Sequence, residues 1–430
     1  MLKNNVIKNA SWIIACKIVQ SLLGLVVGMF TARYLGPSNY GLISYAASIT
    51  AFVVPVMNLG LSNIMVQEFV QRSGEDGEIL GTSLILNLCS AVFCIFGIIA
   101  FALTANHGET ATIIVCCLYS ITLFVQALEL MQYWFQAKLL SKYTSIVSLI
   151  AYVSVSAYKI FLLVTAKSIY WFAVSNAIDY LMIGVASTAI YFRLGGKKFR
   201  FSWKTAQRLF SRSKYYIISS MMVTVFAQTD KIMLKLMLDD TATGYYTAAV
   251  TCAGITSFVF GAIIDSARPS IFESQQAGKE HFEKNMSRLY CIVIYLSLLQ
   301  SLGMVFFAKI IISVLYGQSY GPAVDALQIV VWYTTFSYMG SVRNIWMLAE
   351  EKQKYLWIIN LSGASANVLL NALLIRMMGI NGAALASLIT QFFTNVLIGY
   401  IIKPIRENNR IMRKGLNPKL LLEIAGKVKC

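Results

Sequence analysis

Charge is what this sequence has least of. Of 430 residues only 13% are Asp, Glu, Lys or Arg, while 57% are apolar; an ordinary soluble domain carries roughly a quarter charged residues. So few ionic groups cannot cover a soluble surface for a chain of this length, so much of it must face lipid. Histidine is scarcer still. His107 and His281 are the only two and lie far apart, which argues against a zinc enzyme. The eight cysteines (Cys16, Cys89, Cys94, Cys116, Cys117, Cys252, Cys291, Cys430) are scattered through apolar runs without a paired CxxC, so they suggest neither a disulfide framework nor a metal site. No metal and no cofactor is expected. Acids are the minority sign, 19 against 36 bases for a net charge of +17. A basic excess can mark nucleic-acid binding, but no soluble domain is present to carry a basic face. Period-two alternation is also missing, and the apolar runs greatly exceed the ~10 residues of a barrel strand. The spanning elements are therefore helices.

Twelve such runs can be read: Trp12 to Ala32, Leu42 to Val66, Ile79 to Leu103, Ala111 to Leu130, Tyr143 to Ala166, Ile169 to Phe192, Tyr215 to Leu238, Gly244 to Ile264, Leu289 to Ala308, Ala323 to Ala349, Tyr355 to Met378 and Ile380 to Ile402. Twelve spans of ~20 residues leave room only for short loops, one connector and a tail. The first run follows Lys3 and Lys8 like a signal peptide, but it is too long for an h-region and more spans follow, so it reads as an uncleaved helix. Cytoplasmic loops are enriched in Lys and Arg. With the N-terminus inside, 27 of the 36 bases fall on the cytoplasmic side, eight of them in the connector Arg193 to Lys214 and eight beyond Ile402. Both termini are thus expected in the cytoplasm. The external loops are too short to hold a catalytic domain, and no enzyme is expected.

The fold class that follows is an all-α polytopic membrane protein with two six-helix bundles around a central cavity. The expected organisation is 1–192 for the first bundle, 193–214 for a basic connector resembling a hinge, 215–402 for the second bundle and 403–430 for a basic tail on the membrane surface. The connector also suits contact with anionic headgroups, which makes membrane lipids partners. An internal repeat supports the division. YWFQAKLLSKY (Tyr133 to Tyr143) and IWMLAEEKQKY (Ile345 to Tyr355) share Trp134 with Trp346, Ala137 with Ala349, Lys142 with Lys354 and Tyr143 with Tyr355. YLGPSNYG and MLDDTATG match more weakly, through Leu35 with Leu238 and Gly41 with Gly244.

The chemistry lies on polar stripes at helical spacing: Tyr216, Ser220, Thr224, Gln228, Lys231 and Lys235 in span seven, and Thr122, Gln126, Glu129, Gln132 and Gln136 along span four. Isolated Ser, Thr and Gly are commonly packing glue between membrane helices. Buried charges are different, because each costs several kcal/mol unless it meets a partner or a hydrated cavity. Lys17, Lys159, Lys231 and Arg343 are therefore expected to contact an anionic, phosphorylated cargo, with Tyr152, Tyr216, Asn367 and Asn371 as expected stacking or hydrogen-bonding contacts to the same cargo. Glu129, Asp179 and Asp230 read equally as counter-ions or as ion-coupling sites. Lys235 and Asp265 lie near enough to span ends to snorkel, and Pro55 is expected to kink span two.

The run ARYLGPSNYG (Ala32 to Gly41), with YWFQA (Tyr133 to Ala137) and TDKIML (Thr229 to Leu234), resembles the polysaccharide-biosynthesis exporters. These are the Wzx-type O-antigen flippases of the multidrug/oligosaccharidyl-lipid/polysaccharide (MOP) superfamily. The resemblance implies a MATE/MOP-like fold in the bacterial inner membrane. It also implies movement of an undecaprenyl-pyrophosphate-linked oligosaccharide from the cytoplasmic to the outer leaflet by alternating access. Other polysaccharide-assembly membrane proteins would be further partners. Two competing readings are a multidrug exporter of the same superfamily and a membrane polysaccharide polymerase or ligase.

Overall fold

A computed structural model describes residues 2–421, with side chains from Cys16 onward. The chain is helical from end to end of the described residues and divides into two compact units, Met1–Gln228 and Thr229–Cys430. The first begins with α1 (Leu2–Met57), followed by α2 (Met65–Gln71), α3 (Asp76–Ala105), α4 (Thr110–Gln126), α5 (Met131–Ala137), α6 (Ser141–Val164), α7 (Ile169–Arg193) and the start of α8 (Trp203–Met237). The boundary between units falls inside α8. The second unit continues through α9 (Asp240–Ala253), α10 (Ser257–Gln276), α11 (Lys279–Leu315), α12 (Ala323–Ala349), α13 (Leu356–Met378), α14 (Ile380–Phe392), α15 (Ile398–Ile401) and α16 (Arg406–Gly415).

Nine helices among the described residues are long and apolar enough to cross a bilayer, ten if α9 and α10, bent by 42° at their junction, form one span. The protein is a multi-pass membrane protein. Residues 16–57 of α1, run straight at 1.5 Å per residue, would measure about 63 Å, twice a hydrocarbon core. Gly36 breaks them, with φ 69° and ψ 172°, a conformation that only glycine holds without cost, and Pro37 then opens the following helix, where its missing N–H is no loss. At Pro55 the backbone keeps helical dihedrals and the helix continues to Met57, so the break in α1 lies at Gly36. In the second unit the corresponding break is made differently. Asp239 is extended (φ −162°, ψ −179°) and caps α9 by accepting the Ala242 N–H at 2.7 Å. Glycine–proline and an acidic N-cap both end one helix and start another.

The other repeat pair is the same in both halves. Leu139 (φ 59°) and Glu351 (φ 53°) are both left-handed, five residues after Trp134 and Trp346. The Leu140 N–H reaches the Phe135 carbonyl at 2.7 Å, and the Lys352 N–H reaches the Met347 carbonyl at 2.7 Å. Each is a Schellman cap on a non-glycine residue.

The connector is docked rather than hanging free as a hinge would. Its Arg200 N–H donates to the Gly77 carbonyl at 3.1 Å and its Ser202 N–H to Thr82 Oγ1 at 3.1 Å. A Cβ at Gly81 would lie 2.6 Å from the Arg200 backbone, so the approach requires glycine. From Trp203 onward the connector is helix, and Arg208 and Arg212 both pair with the wholly buried Glu68. The tail, expected on the membrane surface, packs instead on the second unit as far as it is described. Asn408, Ile411, Met412 and Gly415 of α16 are buried, Tyr290 Oη donates to Asn408 Oδ1 at 2.8 Å, and Arg410 and Lys414 pair with Glu283 at 2.7 and 2.6 Å. Residues beyond 421 lie outside the description.

Candidate functional site

Three cavities and one closed polar cluster are candidates. The largest cavity, about 490 Å³, lies in the first unit and is walled by α1, α4, α7 and α8. Its polar lining comprises Thr50, Asn58, Ser62, Tyr119, Thr122, Gln126, Asn176, Tyr180, Ser220, Thr224 and Gln228. Helical spacing explains the lining. Thr122 and Gln126 are four apart on α4, and Ser220, Thr224 and Gln228 follow the same interval on α8, so each set projects from one face. The Asn176 amide donates to the Tyr119 hydroxyl. No Lys, Arg, Asp, Glu or His is among the described lining residues.

The second cavity, about 270 Å³, is also in the first unit and is lined by Lys17, Gln20, Gln132, Gln136 and the first turns of α6, Ser141 to Ser148. The row Gln126, Glu129, Gln132, Gln136 therefore runs from the large cavity to the small one. Glu129 sits between them in a 3₁₀ turn, Ala127–Leu130, with Gln126 Nε2 3.4 Å from its carboxylate. The third cavity, about 360 Å³ and almost wholly apolar, lies between α10 and α11 in the second unit.

The closed cluster surrounds Asp230. Asn371 Nδ2 donates to its Oδ1 at 2.6 Å, and Tyr246 Oη and Ser387 Oγ both donate to its Oδ2. Tyr246 and Ser387 are 3.1 Å from each other. Both polar atoms of Asn367 and the Asn371 Oδ1 are buried without a hydrogen-bond partner among the described residues. A carboxylate, the carboxamide of Asn371 and two hydroxyls thus meet in a buried interior, with Asn367 one turn earlier on α13. This oxygen-rich set suits a hard cation or a proton.

The predicted residues separate accordingly. Of the four cations, Lys17 alone lines one of these three cavities. Lys159 is half-buried with Asp179 as its electrostatic partner, and Asp179 Oδ1 accepts no hydrogen bond among the described residues. Lys231 is half-buried within the field of Asp230, whose hydrogen bonds come from neutral donors. Arg343 is 5% exposed and donates to the Thr394 carbonyl. That carbonyl belongs to a π-helical turn, Phe393–Leu397, whose wider spacing leaves backbone acceptors unmatched; Asn409 satisfies another, Val396, at 2.7 Å. Arg343 thus spends one N–H on that carbonyl, while its buried Nε has no hydrogen-bond partner among the described residues. Lys235 does not snorkel. It is 6% exposed and pairs with Asp240 at 2.9 Å.

Tyr152 packs its hydroxyl onto Gly24, and Tyr216 is exposed. Asn371 joins the Asp230 cluster, and Asn367, one turn earlier on α13, accepts from the Asn371 amide through its backbone carbonyl at 3.0 Å. The cavity residues that sequence reasoning passed over are Asn58, Ser62, Tyr119, Asn176 and Tyr180. The Thr122, Gln126 and Ser220, Thr224, Gln228 stripes were the available signal for the site.

A polar cavity enclosed by apolar spanning helices is the architecture of a membrane carrier, and the fold agrees. It is similar to the lipid II flippase MurJ in an inward closed conformation, with TM-score 0.73 and 15% identity over 95% of this chain and 91% of that chain. It is similar also to an inward-facing multidrug resistance MATE family transporter of the MOP superfamily (TM-score 0.64, 12% identity, 93% and 96% covered) and to a eukaryotic MATE transporter (0.64, 13%, 95% and 98%). These likenesses establish the fold alone, the one shared with those transporter structures. The family of polysaccharide biosynthesis proteins matches residues 6–275, and the chain belongs to that family. It is 26% identical over 267 residues to an uncharacterized membrane protein of Methanocaldococcus jannaschii, covering 57% of this chain and 52% of the relative. The match thus spans about half the length of that curated protein.

Proposed function

We propose that this protein is a flippase that moves an undecaprenyl-pyrophosphate-linked oligosaccharide repeat unit from the cytoplasmic to the outer leaflet of a bacterial inner membrane by alternating access, for O-antigen, capsule or related surface polysaccharide. The observation that carries this reading is the 490 Å³ polar cavity inside a bundle of spanning helices. A glycan headgroup cannot cross hydrocarbon unaided, whereas its lipid tail can stay in the bilayer. A cavity of that volume is in the range that shelters a ligand. Lys17, in the neighbouring polar cavity, is the contact we assign to pyrophosphate. Asp230, with Asn367, Asn371 and Ser387, is the proposed coupling site, taking up a proton or a monovalent cation during the cycle. Lys159 and Asp179 serve each other as counter-ions. The proposed topology has twelve spans, counting α1 as two, α9 with α10 as one and α12 as one, with both termini cytoplasmic.

The fold likeness to multidrug transporters supports a second reading, drug export. A cationic drug calls for acids in the wall, and the described lining of the large cavity has none. The deciding experiment is reconstitution of the purified chain in liposomes with a defined undecaprenyl-pyrophosphate oligosaccharide, with and without ion gradients. Translocation is expected. A folded protein that moves none of it, and moves a cationic dye instead, sinks the proposal.

A further inference from the structure

We infer that the large cavity of the first unit is a seat for uncharged sugar rings, so that this chain moves neutral glycans in preference to acidic ones. The inference rests on the flippase reading and adds the class of cargo. Four carboxamides, Asn58, Gln126, Asn176 and Gln228, and two phenols, Tyr119 and Tyr180, share this wall. Each carboxamide offers two donors and an acceptor, the complement of hydroxyl and acetamido groups, which also donate and accept at once. Tyrosine adds an apolar ring face with a polar tip, the surface against which the C–H face of a pyranose packs.

The charges behind the wall decide against an acidic cargo. Gln126 backs onto Glu129, and Tyr180 lies within the field of both Glu129 and Asp179. Ionised, these carboxyls repel a uronate or sialate; protonated, they give it no attraction. Lys159 has Asp179 as its electrostatic partner, and the described lining of the cavity itself holds no Lys or Arg. An anionic sugar entering the cavity would lose its water without meeting a cation among the described lining residues. A neutral sugar exchanges its hydrogen bonds with water for bonds to carboxamides. Lys17 does not alter this balance, because it lines the other cavity.

The test uses the full chain in proteoliposomes with two synthetic undecaprenyl-pyrophosphate tetrasaccharides of equal length, one wholly neutral and one bearing a single glucuronic acid. Because both carry the same pyrophosphate, their ratio reports on the sugars alone. The wild type should move the neutral compound about ten-fold faster, one decade corresponding to ~1.4 kcal/mol. Gln228→Lys, which sets a cation in the wall, should bring the two rates within about three-fold by speeding the acidic compound. Equal wild-type rates would overturn the inference while leaving the flippase reading intact. So would a Gln228→Lys variant that moves the neutral compound normally but gains nothing on the acidic one. Failure to move either compound would instead overturn the flippase reading itself.

Discussion

The polar groups of the two units are used in opposite ways. In the first, carboxamides and hydroxyls face an open cavity, with bonds such as Asn176 to Tyr119 and Gln126 to Glu129 at its wall. In the second, Asp230 is enclosed by Tyr246, Ser387 and Asn371 with no cavity between them. Both units are bundles of apolar helices carrying stripes of similar composition. A polar stripe therefore does not by itself make a passage. It becomes one where no opposing stripe is close enough to close it by hydrogen bonding.

Four substitutions break or sharpen this contrast, taken from the largest expected effect to the smallest. Asp230→Asn keeps the shape of the closed cluster but removes its charge. Translocation should fall on the order of 100-fold, equivalent to ~2.7 kcal/mol, in a protein that still inserts and melts cooperatively. Transport at the wild-type rate would make the cluster a packing feature. Arg343→Ala strands the Thr394 carbonyl and should cost about 2–3 kcal/mol of stability, the range for a hydrogen bond to a charged group, read as a lower melting temperature in detergent. Were stability unchanged and translocation abolished, Arg343 would return to the role of a ligand contact. Asn176→Leu should slow translocation about ten-fold with little change in melting, because the side chain borders open space; the reverse pattern would close the cavity as a site. Glu283→Gln, at the edge of the tail helix, should cost under about 1 kcal/mol, since its partners Arg410 and Lys414 are half exposed; limited proteolysis of the tail measures it.

Much of the fold was legible from residue pattern. The helix periodicity, the polar stripes and the repeat of Trp134 with Trp346 all correspond to structure, the last down to identical left-handed caps at Leu139 and Glu351. Those features are local, so spacing along the chain carries them. The site was legible only in part. Charge drew attention to Lys159, Lys231 and Arg343, yet the large cavity is lined by neutral residues such as Asn58 and Asn176. A cavity is an absence between helices, and no single stripe records it. Arg343 illustrates the same limit. Its partner is a backbone carbonyl freed by a π-turn some fifty positions later, which no side-chain pattern announces.

The sequence alone determined that this chain crosses the membrane many times as helices, because burial in lipid leaves no other way to pair the backbone. It determined the duplicated plan through motifs whose caps form within a few residues. The tertiary structure decided which polar faces meet and which stand apart, which bases are spent on Glu68 and Glu283 instead of on lipid, and where space is left. Those outcomes depend on distances between segments remote in the chain, and such distances are set by the packing of whole helices.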